Sequence, residues 1–185
     1  TLATRRYRGL GWWTAGNGFF TAGFLALTLP LTPPWYWNLL AANLGSVAGV
    51  IVWSFGVRRF LDQRLPLAAA VACLVLTVGV IHYFSVWTYD ITVRIVFVSL
   101  AYTVWVLDLA GALWRARGNS NPLSQRIFFA TALVVASFFV FRAAATPSQP
   151  PVQNLFQPNW LVSASMAMLM LAVVAFNICF LALMA

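Results

Sequence analysis

Short polar connections divide the chain into six apolar runs, at about 9–29, 35–57, 65–84, 89–115, 123–144 and 159–185. Each reaches about 20 residues, the length an α-helix needs to cross about 30 Å of hydrocarbon at about 1.5 Å per residue. Backbone inside lipid has to satisfy its own hydrogen bonds, so runs of this length point to helices. The expected fold is an all-α integral membrane protein, with six transmembrane helices in three antiparallel hairpins forming one domain over 1–185. Composition agrees. With 62% hydrophobic and 8% charged residues, a chain of 185 has more apolar surface than a soluble core of that size hides.

All 11 basic residues are arginine and the net charge is +8. Nucleic acid is not the expected partner, because the arginines cluster between apolar runs, as they do in cytoplasmic loops facing anionic lipid. Arg5, Arg6, Arg8, Arg58, Arg59, Arg64, Arg115, Arg117 and Arg126 fall on one side, and only Arg94 and Arg142 on the other. The positive-inside rule then places both termini in the cytoplasm, and the expected location is the bacterial inner (plasma) membrane, multi-pass.

The connections carry further signals. Leu29 to Pro34 is an uncharged turn, and Trp35, Tyr36 and Trp37 form an aromatic belt. Gly45-Ser46-Val47-Ala48-Gly49 is a small-xxx-small face suited to close helix approach; the GxSG order of an intramembrane serine protease is absent. Thr146 to Pro158, rich in Pro and Gln, is expected to lie over the outer face. Cys73 and Cys179 sit inside apolar runs and read as buried thiols. The sequence begins with Thr and stops inside an apolar run, so a longer protein is expected, its last helix continuing into a cytoplasmic output domain beyond 185.

Arg5-Arg6-Tyr7-Arg8-Gly9-Leu10-Gly11-Trp12-Trp13-Thr14-Ala15-Gly16, Arg58-Arg59-Phe60-Leu61 and the outgoing sixth helix resemble the multi-spanning N-terminal sensor regions of bacterial GGDEF proteins. Those proteins are membrane diguanylate cyclases, and some sensor histidine kinases carry similar regions. The resemblance implies a homodimer whose membrane part regulates a cytoplasmic domain that makes cyclic di-GMP from GTP. No GG(D/E)EF motif, kinase histidine box or nucleotide-binding loop occurs in these 185 residues, so catalysis is expected elsewhere.

Polar residues inside hydrocarbon cost free energy and ask for a reason. His82, Asp90, Arg94 and Arg142 come from three helices and all lie within about two turns of the outer boundary. Tyr83, Trp87, Tyr89 and Trp160 are near the same level. Together they form a candidate ligand site for a small anionic or amphipathic molecule, since arginine grips carboxylate and phosphate in bidentate fashion. The structural reading beside it is that Asp90 and Arg94, spaced i,i+4 at a helix start, satisfy one another, with His82 and Arg142 at helix C-terminal ends. Asp108 lies deep on the inner side and is expected to pair with an arginine there. Asn17, Asn43 and Asn177 are expected to make structural hydrogen bonds between helices.

Enzyme chemistry finds little support. A bis-histidine haem needs a second histidine, a zinc site needs three or four clustered ligands, and His82 with Asp90 lacks a nucleophile motif. No metal or cofactor is expected in this chain, and its expected partners are membrane lipids, a ligand and a second copy. Two function classes remain: a signal-transducing sensor acting through helix six, and a small-molecule or lipid transporter or channel. Transporters break helices near the midplane, whereas every proline here lies in or beside a connection, which favours the sensor.

Overall fold

The computed structural model describes residues 9–28, 36–116, 122–148 and 160–184. The Arg5 to Arg8 flank, the turn with Trp35, Arg117 and most of the long proline-rich loop lie outside them. The described residues form six long helices and no strand: α1 (Leu10–Thr28), α2 (Tyr36–Phe60), α3 (Leu67–Val86), α4 (Ile91–Arg115), α5 (Pro122–Ala145) and α6 (Trp160–Met184). A single 3₁₀ turn, Thr146–Ser148, follows α5. Helix starts use the expected chemistry. Pro122 occupies the first position of α5, where no N–H is needed, and the Asp90 carboxylate caps α4 by accepting the Val93 N–H at 3.1 Å.

Helices α2 to α6 are long and apolar enough to cross a membrane, the fifth together with its 3₁₀ turn. The first helix, at 19 residues, is long enough but less apolar, because Asn17, three threonines and four glycines interrupt its run. Five of the six expected spans therefore meet the criterion by composition, and α1 does not.

What α1 lacks in apolarity it has in fit. Gly16 approaches Gly49 and Trp53, Gly23 approaches Ala42 and Ser46, and Gly9, at φ +92°, meets Gly56; the two helices are thus antiparallel. A Cβ built at Gly23 would stand 2.9 Å from the Ala42 carbonyl oxygen, and one at Gly45 would stand 3.0 Å from the Gly23 Cα. The Gly45–Gly49 face is therefore consumed inside the chain, against α1, and offers nothing to a second copy.

Close approach of the backbones leaves room for aromatic side chains above and below. Trp13 stacks between Trp53 (5.2 Å, 16°) and Phe180 (4.2 Å, 10°), joining α1 to both α2 and α6. Phe20 lies on the other side of Trp53, and Phe128 and Phe176 complete the cluster from α5 and α6. Helices α2 and α4 run through the centre, whereas α3 buries only the stripe Ala70, Thr77, Ile81 and Ser85. Val71, Val75 and Leu76 of α3 face outward, as suits a lipid-facing helix.

The seam makes a matched prediction within one helix. Gly23→Ala forces backbone apart and should cost about 1–3 kcal/mol. Gly18→Ala, with nothing within 4 Å of the added methyl, should be neutral or stabilise by up to about 1 kcal/mol. Thermal unfolding of the two variants in detergent compares them directly.

Candidate functional site

Two polar groupings are self-contained. Near the ends of α2 and α4, Asp108 accepts hydrogen bonds from Arg58 Nε (2.9 Å), Arg58 Nη2 and the Ser54 hydroxyl, forming a bidentate pair with a third donor. Arg58 also donates to the Arg64 carbonyl, and Gln63 Nε2 to the Ala112 carbonyl at 2.9 Å, fastening the α2–α3 turn to α4. Between α1 and α6, Asn177 Oδ1 accepts from Trp13 Nε1 and Asn17 Nδ2, both at 2.8 Å. The Asn177 amide returns a bond to Asn17 Oδ1 at 3.1 Å. Asn43 behaves differently: its amide donates to the Leu39 carbonyl within α2, so it joins no second helix.

At the opposite end of the bundle, the residues singled out from sequence divide into separate contacts. His82 Nδ1 is hydrogen-bonded to the Tyr36 hydroxyl at 2.9 Å, and both residues lie at the end of the α2–α3 pair. Asp90 caps α4, and no ion pair joins it to Arg94. The N-cap geometry explains this, since Asp90 has extended φ and ψ and its carboxylate turns onto the helix N–H groups. Arg94 instead points to α3: Nη1 donates to Ser85 Oγ at 2.8 Å, and the guanidinium carbon lies 6.0 Å from the Tyr89 ring centroid. Tyr89 holds φ +46°, which turns the chain tightly between α3 and α4. Tyr83 and Trp87 are exposed, and Trp160 packs at 6.4 Å against Phe141 of α5.

Arg94 is only 6% exposed, yet its Nε has no hydrogen-bond partner among the described residues. Arg142, one helix over, is half-buried and lies within electrostatic reach of Tyr102, which was not among the residues singled out from sequence. Tyr102 stacks on Phe139 (4.7 Å, 9°), and its buried Oη stands beside the Ser46 hydroxyl, which donates to the Asn43 carbonyl at 2.9 Å and keeps lone pairs that can accept from the phenol. A phenol at mid-span is itself a signal, since tyrosine in hydrocarbon needs a partner for its hydroxyl. The polar residues at this end thus fall into a capped turn, a His82–Tyr36 pair, an α3–α4 contact made by Arg94 on Ser85, and an electrostatic pairing of Arg142 with Tyr102 between α5 and α4.

No family model matches the chain, and neither the curated proteins nor the solved structures contain a match to it.

The inner pair gives a prediction that separates structure from signalling. Asp108→Ala leaves the half-buried Arg58 without its carboxylate and should cost about 2 kcal/mol. Adding Arg58→Met should restore part of that loss, so a double-mutant cycle read by thermal unfolding is expected to be non-additive.

Proposed function

We propose that the chain is the membrane-embedded sensory part of a signalling protein. It reads a ligand or the bilayer at the end of the bundle that carries Arg94, and it passes the change through α6 to a cytoplasmic output domain, a diguanylate cyclase by the resemblance of its opening residues. In this reading both termini face the cytoplasm, as the positive-inside rule places them. The observation that carries the proposal is Arg94. Asp108 is paired with Arg58, whereas Arg94 is buried with donor capacity unspent. An intramembrane charge of that kind marks a place where function has been given precedence over stability.

The route to α6 is short. Arg142 lies on α5, α5 packs on α6 through Phe128 and Phe176 (5.5 Å), and α6 is held in register with α1 by Asn177. A shift of α6 must break or exchange that asparagine clasp. The helices are unbroken over the described residues, which suits a helix-shift device better than an alternating-access transporter.

A fusion tests the proposal: the chain joined after α6 to a diguanylate cyclase catalytic domain, with cyclic di-GMP measured in cells at matched membrane levels. Arg94→Ala should change the output severalfold, and Asn177→Leu should fix it at one level. Equal output from wild type and both variants sinks the sensory reading.

A further inference from the structure

We infer that the end of the bundle carrying Arg59, Arg64, Arg115 and Arg126 is a docking surface for anionic phospholipids, and that its best-formed contact is Arg126 beside the Trp114–Phe129 wall of α4 and α5. This is the end opposite Arg94, so the inference stands or falls independently of the sensory reading.

Three contacts gather these residues. Arg58 of α2 is paired with Asp108 of α4, Gln63 of the α2–α3 turn donates to the Ala112 carbonyl at 2.9 Å, and the Gln125 amide of α5 donates to the Leu113 carbonyl. The last turn of α2, the α2–α3 turn and the start of α5 are thereby fastened around the C-terminal end of α4. They bring together Arg58, Arg59, Arg64, Arg115 and Arg126 against two carboxylates, Asp62 and Asp108; the third acid of the chain, Asp90, caps α4 at the other end. Asp108 is already held by Arg58 and Ser54. Four exposed arginines then face one remaining carboxylate, and the surface is cationic whichever of them Asp62 serves.

Helix electrostatics account for only part of this. Arg58, Arg59 and Arg115 lie in the last turns of α2 and α4, where a cation meets the negative end of the helix dipole. Arg115 also runs back along α4, its Nη2 3.8 Å from the position a Cβ on Gly111 would take. Arg126 has no such support: it lies near the N-terminal end of α5, and the first turn of that helix holds no acidic residue. Its surroundings are apolar instead. Leu123 and Ile127 beside it are exposed, and three residues further on Phe129 meets the exposed Trp114 of α4 with ring centroids 5.2 Å apart. A guanidinium nearer the bundle end than an exposed apolar and aromatic wall matches a phospholipid: acyl chains lie along Leu123, Ile127 and Trp114, and the arginine grips the phosphate in bidentate fashion. The surplus of arginines favours an anionic headgroup over a zwitterionic one.

The experiment is a thermal-shift titration of the purified protein in uncharged detergent. The probes are a short-chain phosphatidylglycerol, the phosphatidylcholine of the same chain length, and inorganic phosphate. Phosphatidylglycerol should raise the melting temperature at lower concentration than phosphatidylcholine, and phosphate, which lacks acyl chains, should not raise it. Arg126→Gln should increase the phosphatidylglycerol concentration required about fivefold, and Arg59→Gln should act in the same direction. Added salt should weaken the effect, because these guanidiniums are exposed. Thr88→Arg, which adds a charge to the exposed α3–α4 turn at the other end, should leave it unchanged and so separates a local surface from net charge. Equal action of the two lipids, a matching shift from phosphate alone, an undiminished response in Arg126→Gln, or a gain with Thr88→Arg as large as the loss with Arg126→Gln overturns the surface.

Discussion

A bilayer core contains no water to bond a stray polar atom, and the arrangement of this bundle follows from that constraint. Hydroxyls inside the helices are turned back onto carbonyls four residues earlier, as with Thr77 on Cys73, Ser99 on Ile95 and Thr103 on Ser99. The amides of Asn17 and Asn177 bond one another across α1 and α6. The one deep carboxylate, Asp108, collects three donors. The asparagine and aspartate solutions also tie helices together, α1 to α6 and α2 to α4. Against this background the exceptions among the described residues are Arg94 Nε, Tyr102 Oη and the indole N–H groups of Trp53 and Trp105, all buried without a hydrogen bond.

Packing in lipid gains little from the hydrophobic effect, so close contact has to supply attraction. The α1–α2 seam does this with glycines, which bring backbone to backbone and let Trp13 slot between Trp53 and Phe180. That slot aims the Trp13 indole N–H at Asn177. The least apolar helix is thereby held by its fit to α2 and by Asn177 of α6, which bonds both Trp13 and Asn17 and so links α1 to α6.

Much of this was legible in advance because apolar run length and punctuation are local properties. The helix limits follow Pro66, Asp90 and Pro122, each readable from sequence. The i,i+4 spacing of Asp90 and Arg94 was legible too, but it suggested an ion pair where a cap forms. Spacing along a helix places two side chains on one face and leaves open which competing partner wins: the free N–H groups of the first turn hold the carboxylate, and Ser85 across the turn holds the arginine. His82 shared its depth with Arg94 and yet faces Tyr36, since depth along an axis carries no information about direction around it.

From sequence alone come the helical bundle, the segregation of arginines and the scarcity of acids, because hydropathy and charge are summed over residues without regard to their neighbours. The acid count by itself says that some arginines go without a carboxylate. Tertiary structure decided which ones. Helix rotation and register gave Asp108 to Arg58, spent the Gly45–Gly49 face on α1, kept Asn43 within its own helix, and turned Arg94 onto Ser85 of α3. Those outcomes depend on backbones approaching to within a Cβ of one another, a distance that no single run of sequence encodes.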